Sequence, residues 1–96
     1  MLIRIVRMHF TPEGKPEFLK TFALHRKAIG SFPGCSHLSL LRDIKDDNCF
    51  TTLSHWNKAD DLEAYRQSEL FTSVWARVKP LFAKQPQAFS MEAVDA

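Results

Sequence analysis

Long apolar runs are what this chain most plainly lacks. No stretch approaches the roughly 20 residues that a membrane-spanning helix needs. The N-terminal MLIRIVRMHF is too short and too charged to be a signal-peptide core. A cytoplasmic protein with no membrane partner is therefore expected. Basic runs are missing too. The 13 Lys and Arg and 11 Asp and Glu are spread along the sequence and leave a net charge of +2. No basic stripe carries interleaved aromatics, so nucleic acid is not an expected partner. Neither CxxC nor HExxH occurs, and no metal site is expected. Cysteine is scarce, with only Cys35 and Cys49. On the two arms of one hairpin they stand about nine strand residues, or roughly 30 Å, apart. A disulfide needs Cα atoms within about 7 Å, which argues against an intrachain bridge.

What is present is ordinary globular composition, 45% hydrophobic and 25% charged over 96 residues. That fits one domain, residues 1–96, with a modest core burying roughly two-thirds of its unfolded surface. Residues 2–10 are rich in β-branched and large apolar side chains and read as a strand. Thr11-Pro12-Glu13-Gly14 is turn chemistry. A helix follows from about Lys15, with Pro16 in its first turn and a face of Phe18, Phe22, His25 or Arg26, and Ile29. Gly30 stops it, and Phe32-Pro33-Gly34 turns the chain out.

Strands are expected over Cys35–Ile44 and Asn48–Trp56, joined by a polar loop at Lys45-Asp46-Asp47-Asn48. Asn57 then caps a short helix. A longer one starts near Ser68, and its apolar residues Leu70, Phe71, Val74, Trp75, Val78, Leu81 and Phe82 make one broad stripe. Pro80 should bend it or restart its last turn. Ala88–Val94 completes the order β-α-β-β-α-β. The fold class is α+β, a ferredoxin-like four-stranded antiparallel sheet with helices on one face.

If Ile44 faces Cys49, His37 pairs with Trp56, Ser39 with Ser54 and Leu41 with Thr52, all on one face. Leu38, Leu40, Leu53 and His55 then share the other. Helices cover only one side, so this leucine-bearing face calls for a second copy of the chain, a homodimer through the sheet. The first face has small hydroxyl residues under bulky helices, which leaves room for a small-molecule pocket.

The run FPGCSHLSLLRD, then SHW after the hairpin, then LEAYRQSELFTSVW resembles the antibiotic biosynthesis monooxygenase family. The match is clearest at Phe32-Pro33-Gly34-Cys35, Leu40-Leu41-Arg42-Asp43, Trp56, Leu62, Tyr65-Arg66, Ser68-Glu69, Phe71 and Trp75, and it covers essentially the whole chain. The resemblance implies a dimeric α+β barrel made by two ferredoxin-like sheets. It also implies one of several activities: cofactor-free oxidation of polycyclic phenols or quinols, haem degradation, or small-molecule isomerisation. The haem-degrading branch is known for an Asn in the first strand, a Trp on the short helix and a His ligand in the long helix. Aligned on Trp56, this chain has Tyr65 and Trp75 at the latter two positions and no Asn in its first strand. It offers no obvious axial ligand for iron, so that branch is disfavoured.

The cofactor-free oxygenases hold an acidic phenol in a dry cavity, deprotonate it and let the anion reduce oxygen, with no cofactor. Trp56 matches the family's cavity-lining strand-end Trp, and Tyr65 and Arg66 its YR step. His37, Ser54 and His55 are offered from face geometry alone. The expected catalytic residues are His37, Trp56 and Tyr65, and the expected substrate contacts are Ser39, Ser54, Arg66, Phe71 and Trp75. Each has a plainer reading. Trp56 can be core filler, His37 a satisfied imidazole, Tyr65 core with a wet hydroxyl, and Arg66 an ion-pair partner of Glu63, Glu69 or Asp43. Phe71 and Trp75 are core residues first. The expected function is a cofactor-independent monooxygenase acting on a small aromatic phenol or quinol. The alternative is a non-catalytic small-molecule-binding or structural dimer module.

Overall fold

Alternation along the first strand sets up everything that packs on it. In β1 (Leu2–His9), Arg4, Val6 and Met8 point to one face and Ile3, Ile5 and Arg7 to the other. The computed structural model describes residues 1–94, so the last two residues of the expected domain lie outside the described residues. Then come α1 (Gly14–Gly30), β2 (Cys35–Arg42), β3 (Cys49–Trp56), α2 (Ala59–Arg66), α3 (Glu69–Val78), a single 3-10 turn (Lys79–Leu81) and β4 (Gln87–Met91). The strand order is β2-β3-β1-β4, with every neighbouring pair antiparallel. This is the ferredoxin-like order.

The helices lie on the face that carries Arg4, Val6 and Met8. From α1, Phe18, Phe22 and Ile29 are buried, and Phe18 stacks on Phe10 with ring centroids 4.1 Å apart. Met8, Phe10, Phe18, Phe22, Phe50 and Val78 form the solid core. Burying each such side chain stabilises the fold by about 1.5–3 kcal/mol. This core packs between the helices and the sheet.

Local signals place most element ends. Ser68 caps α3, its hydroxyl accepting the Phe71 N–H at 3.1 Å. Regular α-helix stops at Val78, and Pro80 sits in the 3-10 turn that follows. Asn57 does not cap α2. Lys58 holds that position in extended conformation with no side-chain cap, while the Asn57 N–H donates to the Gly34 carbonyl at 2.8 Å. Gly34 has a φ of 89°, and a Cβ there would run into the Asp61 side chain, so glycine suits this turn. The last strand ends at Met91, short of the expected Val94.

The β2–β3 hairpin corrects the expected register. Its loop is one residue longer than expected, because the Asp43 N–H, not that of Ile44, faces Cys49 and donates to its carbonyl at 2.9 Å. The Asp43 carboxylate accepts the N–H groups of Lys45 and Asp46, and Asp46 accepts that of Asn48. These side-chain turns hold the loop open. His37 therefore pairs with His55, Leu38 with Ser54, Ser39 with Leu53, and Leu40 with Thr52. A one-residue slip exchanges the faces of a strand. Leu38 and Leu40 turn toward the helices, and His37, Ser39 and Leu41 turn away.

The outer face thus carries Ile3, Ile5, Leu53, Phe89 and Met91 beside His37, Ser39, Leu41 and His55. Leu41, Phe89 and Met91 are exposed. No helix among the described residues is long and apolar enough to cross a membrane. Both cysteines are free.

Candidate functional site

Beside the phenylalanine core, the space between helices and strands is hollow, and Met8, Phe18, Phe22 and Val78 of that core border the hollow. The cavity measures about 350 Å³, within the range typical of small-ligand sites. Its floor is the inner face of the sheet, with Arg4 and Val6 from β1, Leu38 from β2, and Thr52, Ser54 and Trp56 from β3. Its roof is Phe18, Phe22 and Ile29 of α1, Leu62, Tyr65 and Arg66 of α2, and Phe71, Val74 and Trp75 of α3.

A belt of aromatic rings walls it. Trp56, only 1% exposed, stacks on Tyr65 at 5.2 Å between centroids, and Phe32 from the Gly34 turn sets its edge against both. Tyr65 meets Phe71 edge-on at 5.2 Å, and Phe71 stacks on Trp75 at 5.7 Å. Such pairs add about 0.5–1.5 kcal/mol each beyond area burial. The Trp56 indole N–H donates to the Ser54 hydroxyl at 2.9 Å, which satisfies both buried groups. Trp56 is thus wall and core at once, its ring locked by a strand neighbour two residues away.

The polar groups of the cavity are few and of one kind. Burial, with a smaller contribution from charge at Cys35, pushes the Tyr65 phenol up to about 12. It stays protonated at neutral pH and serves only as a hydrogen-bond donor or a lone-pair acceptor. Burial lowers the Arg4 guanidinium from its ordinary range, and the Arg66 charge lowers it further, with Glu63 opposing. Arg4 donates to the Ser90 hydroxyl at 2.9 Å, and Arg66 to Glu63 at 3.2 Å. Burial raises the Cys35 thiol, so it holds its proton. Among the described residues, the cavity lining includes no imidazole and no carboxylate. Among the described residues, no three His, Cys, Asp or Glu side chains gather as a metal site.

Of the residues expected at the site, Trp56, Tyr65, Ser54, Arg66, Phe71 and Trp75 line this cavity together. His37 and Ser39 do not. They lie on the outer face, the His37 ring hydrogen-bonded to the Ser39 hydroxyl and 4.9 Å from the ring of His55. The longer hairpin loop is the reason, and it removes His37 from reach of the cavity. Arg4 and Thr52 were missed. Arg4 had a signal: a cation alternating with Val6 and Met8 on a central strand is a polar group where apolar ones belong.

These features define a ferredoxin-like α+β protein with a ligand-sized hollow between sheet and helices. The model of the antibiotic biosynthesis monooxygenase family matches residues 1–77, and the chain belongs to that family. Among curated proteins none matches. Solved structures share the fold. One antibiotic biosynthesis monooxygenase is 22% identical with a TM-score of 0.92, over 99% of this chain and 100% of its own. A conserved protein from Methanosarcina mazei is 17% identical with a TM-score of 0.88, over 95% and 91%. A variant of SnoaB, a cofactor-independent oxygenase from Streptomyces nogalater, is 18% identical with a TM-score of 0.86, over 99% and 94%.

Proposed function

We propose that the cavity binds a small aromatic phenol or quinol and stabilises its anion for direct reaction with dioxygen, with no cofactor. The observation that carries this reading is the chemistry of the lining. An aromatic, largely apolar hollow holds two guanidinium groups and one phenol kept protonated, and no imidazole or carboxylate lines it among the described residues. Such a site favours an anion electrostatically and leaves the proton to solvent. For a phenol with a para C–H, the net change is a quinone and one water. One oxygen atom becomes the new carbonyl, and the other leaves with the phenolic and ring hydrogens. The ring loses four electrons, and dioxygen gains four. Each preorganised donor at a developing anion is worth about 3 kcal/mol, or roughly a hundredfold in rate. The fold of SnoaB, itself a cofactor-independent oxygenase, supports the same reading.

The outer face supports a second copy of the chain as its cover. Ile3, Ile5, Leu53, Phe89 and Met91 form an apolar surface that the helices cannot reach, and a self-complementary pairing of such faces gives a closed dimer. Two free cysteines suit a reducing, cytoplasmic setting.

A binding module without catalysis is the second reading, favoured by the missing proton acceptor. Oxygen uptake separates the two. Chelator-treated protein with a panel of naphthols, quinols and anthrones should consume oxygen faster than buffer. No uptake above buffer across the panel, with binding retained, removes the enzyme and leaves the module.

A further inference from the structure

Arg4 sits where an apolar residue is expected, on a central strand and facing the cavity. Its recorded partner is neutral, the Ser90 hydroxyl at 2.9 Å. The ion pairs found among the described residues are Arg7–Asp43 and Arg66–Glu63, so Arg4 has no carboxylate of its own there. Arg66 comes to the same cavity from the last turn of α2. Two cations thus share one apolar hollow and disfavour each other, and Glu63, already paired with Arg66, offsets this only in part. An anion entering between them relieves that repulsion.

Building on the cavity reading above, we infer that the natural ligand is an aromatic acid, a flat fused-ring compound whose carboxylate is bound by Arg4 at the floor and Arg66 at the rim. A guanidinium fork matches a carboxylate in plane and can hold both its oxygens. A carboxylate also keeps its charge throughout the neutral range, which a phenol does not. The rings of Trp56, Tyr65, Phe71 and Trp75 supply the flat apolar walls for the rest of the molecule. The plainer account is that Arg4 only covers the cavity edge with its stem while its head reaches solvent, and that account predicts no preference for acids.

The pair 2-naphthoate and 2-naphthamide tests this, because neither probe consumes oxygen and binding is read apart from catalysis. Affinity is measured by calorimetry and by quenching of Trp56 and Trp75 fluorescence at low ionic strength. Naphthoate is expected to bind at least tenfold tighter than naphthamide, with the preference shrinking as salt is added. Arg4→Gln should remove most of the preference, with a wild-type circular dichroism spectrum reporting an intact fold. Arg66→Gln, at an exposed position that tolerates change, should remove a smaller part and serves if Arg4→Gln does not fold. Equal affinity of the two probes, or a preference that survives both substitutions, overturns the inference. A preference for naphthoate without oxygen uptake from any phenol leaves the aromatic-acid ligand standing and removes the oxygenase. Oxygen uptake with equal probe affinity does the reverse.

Discussion

The two faces of this sheet come from the same strands and carry opposite problems. The inner face holds Arg4, Thr52, Ser54 and Trp56 under a roof of aromatic rings, and it leaves space unfilled. The outer face holds Ile3, Ile5, Leu53, Phe89 and Met91, with no described element over it. A polar group on the covered side and apolar groups on the open side are each the reverse of what a free-standing domain needs. The first underlies the proposed ligand site, and the second the proposed dimer interface. On the inner face the phenylalanine core and the hollow adjoin, sharing Met8, Phe18, Phe22 and Val78.

The phenylalanine core should fail hardest. Phe10 is 2% exposed and touches Phe18, Phe50 and Phe82. Phe10→Ala removes a ring from a packed cluster and should cost about 3–5 kcal/mol, read as a lower midpoint in urea. A cost below about 1 kcal/mol would mean that this cluster is loosely packed.

The outer face comes next. Leu53→Asp places a charge in the proposed dimer interface, where a buried unpaired carboxylate costs several kcal/mol. Sedimentation should show a dimer for the wild type at micromolar concentration and a monomer for the variant. A wild-type monomer ends the interface reading, whatever the variant does.

How far these faces could be read from sequence depends on whether a relation lies within one strand or between two. Ser54 and Trp56 share a face because they are two residues apart on β3, and no register enters. The α3 stripe and its Ser68 cap are local in the same way. His37 was placed beside Trp56 only through cross-strand pairing, and that rested on the length of one loop. Asp43 and Asp46 bonding back to the chain gave the loop its extra residue, and every β2 side chain changed sides. Short polar side chains before a turn are a signal of that behaviour, but they do not give the count. Arg4 stayed hidden for a related reason. Flanked by Ile3 and Ile5, it reads as the outward residue of an alternating strand until the partners of β1 are known.

The inner face then makes a pH prediction. Tyr65 is the single tyrosine, so phenolate absorbance reports it alone. Its pKa is raised from 10 to about 12, chiefly by burial. The folded state therefore holds a proton that the unfolded state has released between those values, and stability is full below pH 10. It should fall as pH rises toward 12, by on the order of 2 kcal/mol. Tyr65→Phe should lose that alkaline slope. A native titration midpoint near 10 would mean that Tyr65 faces water and that the hollow is wet.

The smallest effect is the sharpest test of which face is which. His37 is the residue whose chemistry most invites a catalytic role, because an imidazole suits proton transfer near neutral pH. Its position denies it that role. It is exposed on the outer face, bonded to Ser39 and packed near His55, with the thickness of the sheet between its ring and the cavity. His37→Ala should therefore leave affinity for a naphthol, and oxygen uptake from a quinol, within about twofold of the wild type. Trp56→Phe makes the contrast, since it takes an N–H from Ser54 and reshapes the wall, and it should weaken naphthol binding while His37→Ala does not. A tenfold loss of turnover in His37→Ala, with binding and fold intact, would return the imidazole to the reaction and require β2 to pair one residue out of the register seen.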